Sequence, residues 1–153
     1  DAIVAAHVVG DAGRVVGVEV SPIIAQLTIH GLATYEDDSP RITAAMRRIE
    51  AHQADYRRVL APADADAFDV VYFDPIFHEA VEGSEQMVAL RELGDGSPLD
   101  CEHVIQARRV ARRCVVIKQR HGTPLWEQLG VDAVISSSST RVQYGVIEAT
   151  REA

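Results

Sequence analysis

Cysteine and aromatic residues are scarce in this sequence, and apolar runs long enough to cross a membrane are missing. The two cysteines, Cys101 and Cys114, lie far apart and outside any metal-binding spacing, which is typical of a reduced protein of the cytoplasm. No stretch approaches the roughly 18 apolar residues of a membrane helix, and no signal peptide is recognisable. The six histidines also lack the close spacing of a metal site. We therefore expect a cytoplasmic protein that uses neither a membrane nor a metal.

Positive charge is also in short supply. The 153 residues carry a formal net charge of −8, which argues against a protein that holds nucleic acid through its overall charge. Hydrophobic residues make up 47% of the chain, enough for one domain with a real core. The first residue is Asp1 and not methionine, so we expect the chain to begin inside a longer protein.

Short apolar runs alternate with helical patterns along the chain. Predicted strands cover residues 14–20, 48–53, 69–75 and 114–119, followed by 132–139 and 142–149. Predicted helices cover residues 1–9, 22–35 and 98–113, with shorter ones after the polar stretch 36–39 and just before Pro62. This alternation predicts an α/β fold with a mostly parallel sheet. The last two strands form an antiparallel hairpin with a tight turn at Thr140–Arg141 in this prediction.

Ligands of open parallel sheets bind beyond the carboxyl ends of the strands, so the residues at those ends are the candidates for chemistry. They are Glu19, Gln53 with Asp55, Asp74 and Lys118. A carboxylate in the place of Glu19 is suited to accept both hydroxyls of a ribose, or it is simply a solvated charge. Asp55 precedes a predicted helix and therefore also suits the role of an N-cap.

The stretch FDVVYFDPIFHEA, residues 68–80, combines a buried strand with a polar end. Pro75 restricts Asp74 to an extended conformation and fixes the turn that follows. The Asp74 carboxylate and the Pro75 carbonyl are then able to accept hydrogen bonds from one amino group, and Phe77 offers a face for stacking. The long segment 76–96 that follows is either a lid on the acceptor side or an ordered structural connection.

Arginines occur in dense groups that suit either phosphates or a solvated surface paired with carboxylates. These groups comprise Arg47, Arg48, Arg57, Arg58, Arg108, Arg109, Arg112 and Arg113. The solvated surface is the favoured interpretation, because carboxylates outnumber the cations. Arg91, Lys118 and Arg120 lie nearer to the predicted site and are better candidates for contacts to a phosphate or an acceptor.

Taken in order, the strand-end residues resemble those of the class I S-adenosylmethionine-dependent methyltransferases. Members that methylate amino groups carry [DN]-P-P-[FYW] where this chain has Asp74-Pro75-Ile76-Phe77. The replacement of the second proline by Ile76 is similar to the RsmJ-like group, which methylates guanine N2 in small-subunit ribosomal RNA. The segments VVYFDPIF and VVIKQRHGTP, with Ser84, Met87, Leu90 and Arg91, also look like that group.

The resemblance spans nearly the whole chain and implies a Rossmann-like sheet with helices on both faces. It implies a single methyltransferase domain over residues 1–153, without the first strand and the glycine-rich loop, both of which would precede Asp1. S-adenosylmethionine is the implied cofactor. RNA, and within it ribosomal RNA, is the implied substrate, and the protein would be a monomer or a homodimer. The acidic composition departs from this, since an enzyme acting on RNA should present a basic face.

The resemblance also implies roles for individual residues. Glu19 with Val20 would hold the cofactor ribose, and Asp1 would lie beside the methionine part. The remaining cofactor contacts implied are Gln53, Ala54, Asp55 and Asp74. Catalysis would rest on Asp74, Pro75 and Phe77, and the acceptor would be bound by Ile76, Phe77, His78, Arg91 and Lys118. Methyl transfer needs no metal, since the donor is already activated and the enzyme mainly aligns the reacting atoms.

Two other functions also fit the sequence. Glu19 and the early strand–helix order suit an oxidoreductase domain that binds a nicotinamide dinucleotide. The terminal hairpin and the Asp74–Phe77 motif argue against it. A nucleotide-binding scaffold without catalysis is the other alternative. Affinity for S-adenosylmethionine rather than for a nicotinamide separates the methyltransferase from the oxidoreductase.

Overall fold

The computed structural model of this chain describes residues 1–75, 92–136 and 141–149. They divide into two compact units, the first made of residues 1–56 and 92–95 and the second of residues 57–75, 96–136 and 141–149. Each unit contains its own sheet with helices packed on it. The expectation of one domain over the whole chain stays a prediction. In the part of the chain that the structure describes, no helix has the length and apolar character to cross a bilayer.

Over residues 1–56, the first unit is a two-stranded parallel sheet with three helices. In chain order these are α1 (Ala2–Val9), β1 (Val15–Glu19), α2 (Pro22–Thr34), α3 (Pro40–Arg47) and β2 (Ile49–Gln53). The strands β1 and β2 pair in parallel from Val15 opposite Ile49 to Glu19 opposite Gln53. Helix α2 packs against both strands and α1 packs against α3. Small side chains allow this close approach, since Ala6, Ala25 and Ala45 are buried in it.

Helix α2 starts where the sequence predicts. Ser21 caps it, because its side chain accepts a hydrogen bond from the Ile24 N–H, and Pro22 occupies the first turn. A proline is tolerated there because the first N–H groups of a helix have no partner within the helix. The cap residue directly follows Val20 and Glu19, so the start of α2 also determines the course of the chain beyond β1.

In its described residues, the second unit has a four-stranded sheet and three helices. Its elements are α4 (Tyr56–Leu60), β3 (Phe68–Phe73), α5 (Cys101–Val110), β4 (Ala111–Arg120), α6 (Leu125–Leu129), β5 (Ala133–Ser136) and β6 (Val142–Glu148). The strand order is β3-β4-β6-β5. β3 and β4 are parallel, whereas β6 runs antiparallel to both β4 and β5.

The core of the second unit lies between α5 and the middle of the sheet. Helix α5 packs against β3 and β4 and buries Val104, Ala107 and Val110. Val115 and Ile117 on β4 are fully buried. The helix begins at the cap residue Asp100, whose carboxylate accepts a hydrogen bond from the His103 N–H at 3.0 Å.

The prediction of a mixed α/β protein is confirmed, and the sheet prediction is confirmed in part. The strand pairs β1–β2 and β3–β4 are parallel, but the larger sheet is mixed rather than mostly parallel. Its last two strands are antiparallel neighbours, as the hairpin prediction requires. The predicted turn at Thr140–Arg141 falls largely outside the described residues.

The helix predicted over residues 98–113 is too long. It ends at Val110, and residues 111–113 already belong to β4. Ala111 takes an extended conformation and pairs with Phe68 on β3, while the Arg113 carbonyl accepts a hydrogen bond from the Ala149 N–H at 2.9 Å. Sheet pairing therefore overrides the helical preference of these arginines, and Arg112 and Arg113 lie on a strand.

Candidate functional site

In the first unit the chain beyond β1 holds the Glu19 side chain in place. Its Oε1 accepts a hydrogen bond of 2.7 Å from the Ser21 N–H, two residues further on. Glu19 is half-buried, and no second hydrogen bond to its carboxylate is formed by the residues that the structure describes. One carboxylate oxygen is thus used to orient the side chain, and Oε2 remains available to accept hydrogen bonds from a ligand.

The end of β2 lies beside Glu19. Gln53 is the parallel partner of Glu19 in the sheet, and the Ala54 N–H donates to the Glu19 carbonyl at 3.0 Å. The structure therefore brings Glu19, Gln53 and Ala54 together at the carboxyl end of this sheet. The sequence predicted this grouping from the ends of two strands alone.

Three further residues of the predicted cofactor set also lie in the first unit. Asp1 is the N-cap of α1, and its carbonyl accepts a hydrogen bond from the Ala5 N–H at 2.9 Å. Val20 is half-buried between Glu19 and the α2 cap. Asp55 directly precedes the first residue of α4. Their proposed contacts to a cofactor stay predictions.

In the second unit the structure brings Asp74 and Lys118 into direct contact. The Lys118 Nζ lies 3.0 Å from the Asp74 Oδ2. Phe73 pairs with Ile117 in the parallel register of β3 and β4, so the next residues of both strands are neighbours. The Lys118 side chain is 19% exposed and that of Asp74 is 43% exposed. The pair is therefore shielded on the lysine side and open on the aspartate side.

Two tyrosines complete this cluster, and the sequence did not predict them. Tyr72 lies two residues before Asp74 and so points to the same face of the sheet. Tyr144 on β6 is the cross-strand partner of Lys118. Burial, followed by the nearby Asp74 carboxylate and Tyr144, raises the pKa of Tyr72 well above its usual range. The alternation of side chains along β3 would have revealed Tyr72, whereas Tyr144 needed the strand register.

The arginine groups prove mostly structural. Arg109 donates to the carbonyls of Leu60, Ala61 and Ala63, just after α4. Arg108 donates to the Glu148 carbonyl at 2.6 Å, and Arg112 pairs with Asp69 on β3.

The arginines of α3 and its C-cap are used in the same way. Arg47 donates to the carbonyls of Leu32 and Tyr35. Arg48 donates to the Ala6 carbonyl at 3.0 Å and pairs with Asp11. The interpretation of these five arginines, Arg47, Arg48, Arg108, Arg109 and Arg112, as surface cations paired with oxygens of the protein itself is favoured over phosphate binding.

Four of the predicted acceptor residues lie outside the described part of the chain. They are Ile76, Phe77, His78 and Arg91, together with Ser84, Met87 and Leu90 of the resemblance. Pro75 is described and half-buried. Within the ranges 1–75, 92–136 and 141–149, no group of histidine, cysteine, aspartate and glutamate side chains is arranged to hold a metal ion.

Comparison with known proteins gives a family. The sequence model of the family described as "Putative SAM-dependent methyltransferase" matches residues 1–145. The "Uncharacterized protein YpiP" of Bacillus subtilis (strain 168) is 38% identical over 148 residues, which cover 97% of this chain and 57% of that protein. The chain thus spans somewhat more than half the length of this relative. It belongs to the SAM-dependent methyltransferase family, whose cofactor is S-adenosylmethionine.

Proposed function

We propose that the protein transfers a methyl group from S-adenosylmethionine to an exocyclic amino group of a nucleobase in RNA. The observation that carries this proposal is the position of Asp74. It follows β3 directly, precedes Pro75 and is held by Lys118 through Oδ2, while none of the residues that the structure describes donates a hydrogen bond to its Oδ1. Family membership supports the cofactor and the reaction type.

The residues of the first unit fit the cofactor. A ribose presents two neighbouring hydroxyl groups, and a carboxylate with a free oxygen is the usual acceptor for them. Glu19 meets this requirement, because its Oε1 is fixed by the Ser21 N–H and its Oε2 is not used within the described residues. The bond between the Glu19 carbonyl and the Ala54 N–H keeps residues 53–55 beside it, where they would border the adenine.

The residues of the second unit fit an amino acceptor. The open oxygen of Asp74 would accept a hydrogen bond from one N–H of the amino group, and the Pro75 carbonyl would accept from the other. Pro75 lacks an N–H and restricts the backbone before it, so both acceptors are rigidly placed. Phe77 is proposed to stack on the base, as aromatic side chains commonly do in RNA recognition.

The main task of Asp74 and Pro75 would be to align the acceptor nitrogen with the methyl group of the cofactor. S-adenosylmethionine supplies an activated methyl group, so that the N–C bond forms as the C–S bond breaks and the sulfur leaves as a thioether. Asp74 and Pro75 would direct the nitrogen lone pair, which is otherwise delocalised into the base, toward the incoming carbon. The proton that the methylated nitrogen loses passes to water, because Asp74 is already engaged by Lys118.

We further propose guanine N2 of ribosomal RNA as the acceptor. The support is the Asp74-Pro75-Ile76-Phe77 sequence and its likeness to enzymes with that substrate. A base in a helix must leave its stack before it reaches such a site. Incubation of the full-length protein with ribosomal RNA, followed by nucleoside mass spectrometry, would identify the acceptor. Methylation of adenine or cytosine instead would retain the reaction type and overturn the choice of base.

Calorimetry on the full-length protein tests the cofactor side. S-adenosylmethionine and its demethylated product should bind, and Glu19→Ala should weaken both at least about tenfold, the effect of losing one charge-assisted hydrogen bond. Glu50→Ala is the matched control, since Glu50 lies on the neighbouring strand but pairs with the exposed Arg14. Failure of the unaltered protein to bind either ligand would overturn the proposal.

Methyl transfer to RNA tests the acceptor side. Asp74→Asn should lower kcat about 100-fold, since the amide offers the base amino group a weaker acceptor and loses the contact to Lys118. Cofactor affinity should change much less than in Glu19→Ala. Cofactor binding without transfer to any amino group, even with full-length protein, would favour a nucleotide-binding scaffold instead.

A further inference from the structure

Lys118 is the only lysine of the sequence, against 14 arginines, and it lies in the candidate acceptor site. It is on the central strand β4, with β3 on one side and β6 on the other. Its ammonium is 3.0 Å from the Asp74 carboxylate, and its side chain is largely buried. A shielded ion pair of this kind is more strongly coupled than one between solvated side chains.

Two tyrosines, which carry no charge, lie beside the pair. Tyr72 precedes Asp74 on the same face, and Tyr144 lies opposite Lys118 on β6. The phenol of Tyr72 is held in its neutral form by burial and by the adjacent carboxylate. The Lys118 ammonium therefore offsets the charge of the Asp74 carboxylate at the point where the acceptor amino group would dock.

We propose that Lys118 is a positioning residue that also sets substrate class: it neutralises Asp74, so that this carboxylate orients an uncharged amino group and does not attract an ammonium ion. The proposal rests on the acceptor site proposed above. It replaces the sequence-based prediction that Lys118 binds a phosphate or the acceptor directly. The Asp74 Oδ1 remains open within the described residues, and the ammonium fixes its direction through Oδ2.

The physical reason lies in the difference between the two kinds of amine. An amino group on a nucleobase is uncharged at neutral pH and needs only a well-placed acceptor. An aliphatic amine is protonated, has no lone pair to attack a methyl group, and is drawn to uncompensated carboxylates. A carboxylate whose charge is neutralised therefore still accepts a hydrogen bond from the nucleobase amino group but gives little attraction to an aliphatic ammonium ion. The site would discriminate between the two because the competing cation loses its main attraction.

Substitution of Lys118 separates these effects. Lys118→Met keeps the length of the side chain and removes the charge, and Asp74 is exposed enough to be solvated without its partner. We expect kcat/KM for the RNA acceptor to fall about 10- to 100-fold, carried by kcat, with cofactor affinity unchanged by calorimetry. Lys118→Arg should recover most of the loss. Unchanged kcat/KM in Lys118→Met would overturn the proposal.

The matched control is an ion pair at the other end of the same two strands. Arg112 on β4 pairs with Asp69 on β3, with both side chains more than half exposed. Arg112→Met removes a cation from the same pair of strands, β3 and β4, and should leave kcat, KM and cofactor affinity unchanged. An equal loss in Arg112→Met would mean that Lys118→Met acts through general destabilisation, which would also overturn the proposal.

Inhibition by n-propylammonium tests the substrate class. In Lys118→Met the uncompensated Asp74 should attract this cation, which then competes with the RNA acceptor at a concentration at least about tenfold lower than in the unaltered protein. Lys118→Arg should behave like the unaltered protein. The same sensitivity to n-propylammonium in all three proteins would contradict the neutralising role.

The Lys118 side chain gives a readout that does not depend on activity. After selective 15N labelling of lysine in the full-length protein, the side-chain Nζ signal that is missing from Lys118→Arg is that of Lys118, and Asp74→Asn should shift it and speed its hydrogen exchange. If Asp74→Asn changed neither the chemical shift nor the hydrogen exchange of this Nζ signal, the proposal would be overturned. A responding signal in a protein that methylates no RNA would overturn the proposed function while leaving the ion pair in place.

Discussion

Tyr72 is the residue whose ionisation the structure perturbs most clearly. Its pKa is raised above the ordinary value of 10.0 by burial and by Asp74. As pH rises past 10, the unfolded chain ionises this tyrosine and the folded protein does not. The contribution of Tyr72 to the free energy of unfolding is therefore complete below pH 10 and is lost progressively above it.

Tyr72→Phe should remove this alkaline loss. We expect the urea midpoint of the unaltered protein to fall more steeply between pH 10 and 12 than that of the variant, measured by circular dichroism. Comparison of the two proteins cancels the contributions of the groups that they share. Parallel curves for the two proteins would contradict the raised pKa of this phenol in the folded protein.

Asp74 and Lys118 also mark the limit of what single residues predict. The sequence identified both as strand-end residues, because an apolar run followed by a polar residue is visible in the letters. Their contact is not visible, since they are 44 positions apart and meet only through the register of β3 and β4. The same is true of Tyr144, which reaches the cluster through the pairing of β4 with β6.

The contact between α6 and β6 depends on a glycine. A Cβ atom on Gly145 would come within 2.5 Å of the Trp126 ring, and the indole N–H also donates to the Gln143 side chain at 3.2 Å. Gly145→Ala should therefore push Trp126 and α6 away from the sheet, at a cost of about 1–3 kcal/mol for overpacking. Because Trp126 is the only tryptophan, its fluorescence during urea unfolding reports both the shift and the stability.

Gly17 provides the comparison for this variant. It also lies in a strand, β1, but a Cβ there would meet nothing within 4 Å. Gly17→Ala should be neutral or stabilise the fold by up to about 1 kcal/mol, since alanine has less conformational entropy to lose. Equal destabilisation by both substitutions would mean that strand glycines, and not the Trp126 contact, determine the result.

Two neighbouring arginines illustrate different contributions of one residue type. Arg109 satisfies three carbonyls at the end of α4, with distances of 2.6, 2.9 and 3.3 Å, whereas Arg112 forms an exposed pair with Asp69. Arg109→Ala should cost about 1.5–3 kcal/mol, because three charge-assisted hydrogen bonds to backbone carbonyls are lost. Arg112→Ala should cost no more than about 1 kcal/mol.

Chemical denaturation followed by circular dichroism measures both costs. If Arg112→Ala lowered the stability more than Arg109→Ala, the assignment of Arg109 as a residue that stabilises the end of α4 would be wrong.

The arginines also explain why the sequence predicted that α5 extends to residue 113. A run rich in arginine and alanine favours a helix, but residues 111–113 gain more from pairing with β3 and β6 as part of β4.

On the scale of the whole chain, the class of the fold was predictable and the layout of the sheets was not. Alternating apolar runs and helical patterns located most elements to within a few residues. The strand order β3-β4-β6-β5 depends on long-range pairing that no local pattern encodes. That Glu19 and Gln53 lie side by side was predictable because they end β1 and β2, whereas the roles of the arginines required their hydrogen-bond partners.

Net charge makes a prediction about how the proposed RNA substrate is bound. The 153 residues carry a net charge of −8, and the five arginines traced above donate to the protein's own carbonyls and carboxylates. Those five are not available for phosphates, so recognition of the proposed RNA would rest mainly on the base itself. Each neutralised phosphate of a single strand adds about −0.7 to the slope of log K against log salt concentration.

We therefore expect a shallow salt dependence, with a slope no steeper than about −3. Fluorescence anisotropy of a labelled RNA fragment bound to full-length protein, measured between low and physiological salt, gives this slope directly. Arg109→Ala should not change it, because that guanidinium is occupied by the carbonyls after α4. A slope near −7 would mean that about ten phosphates are neutralised, and the arginines would then have to leave their structural partners when RNA binds.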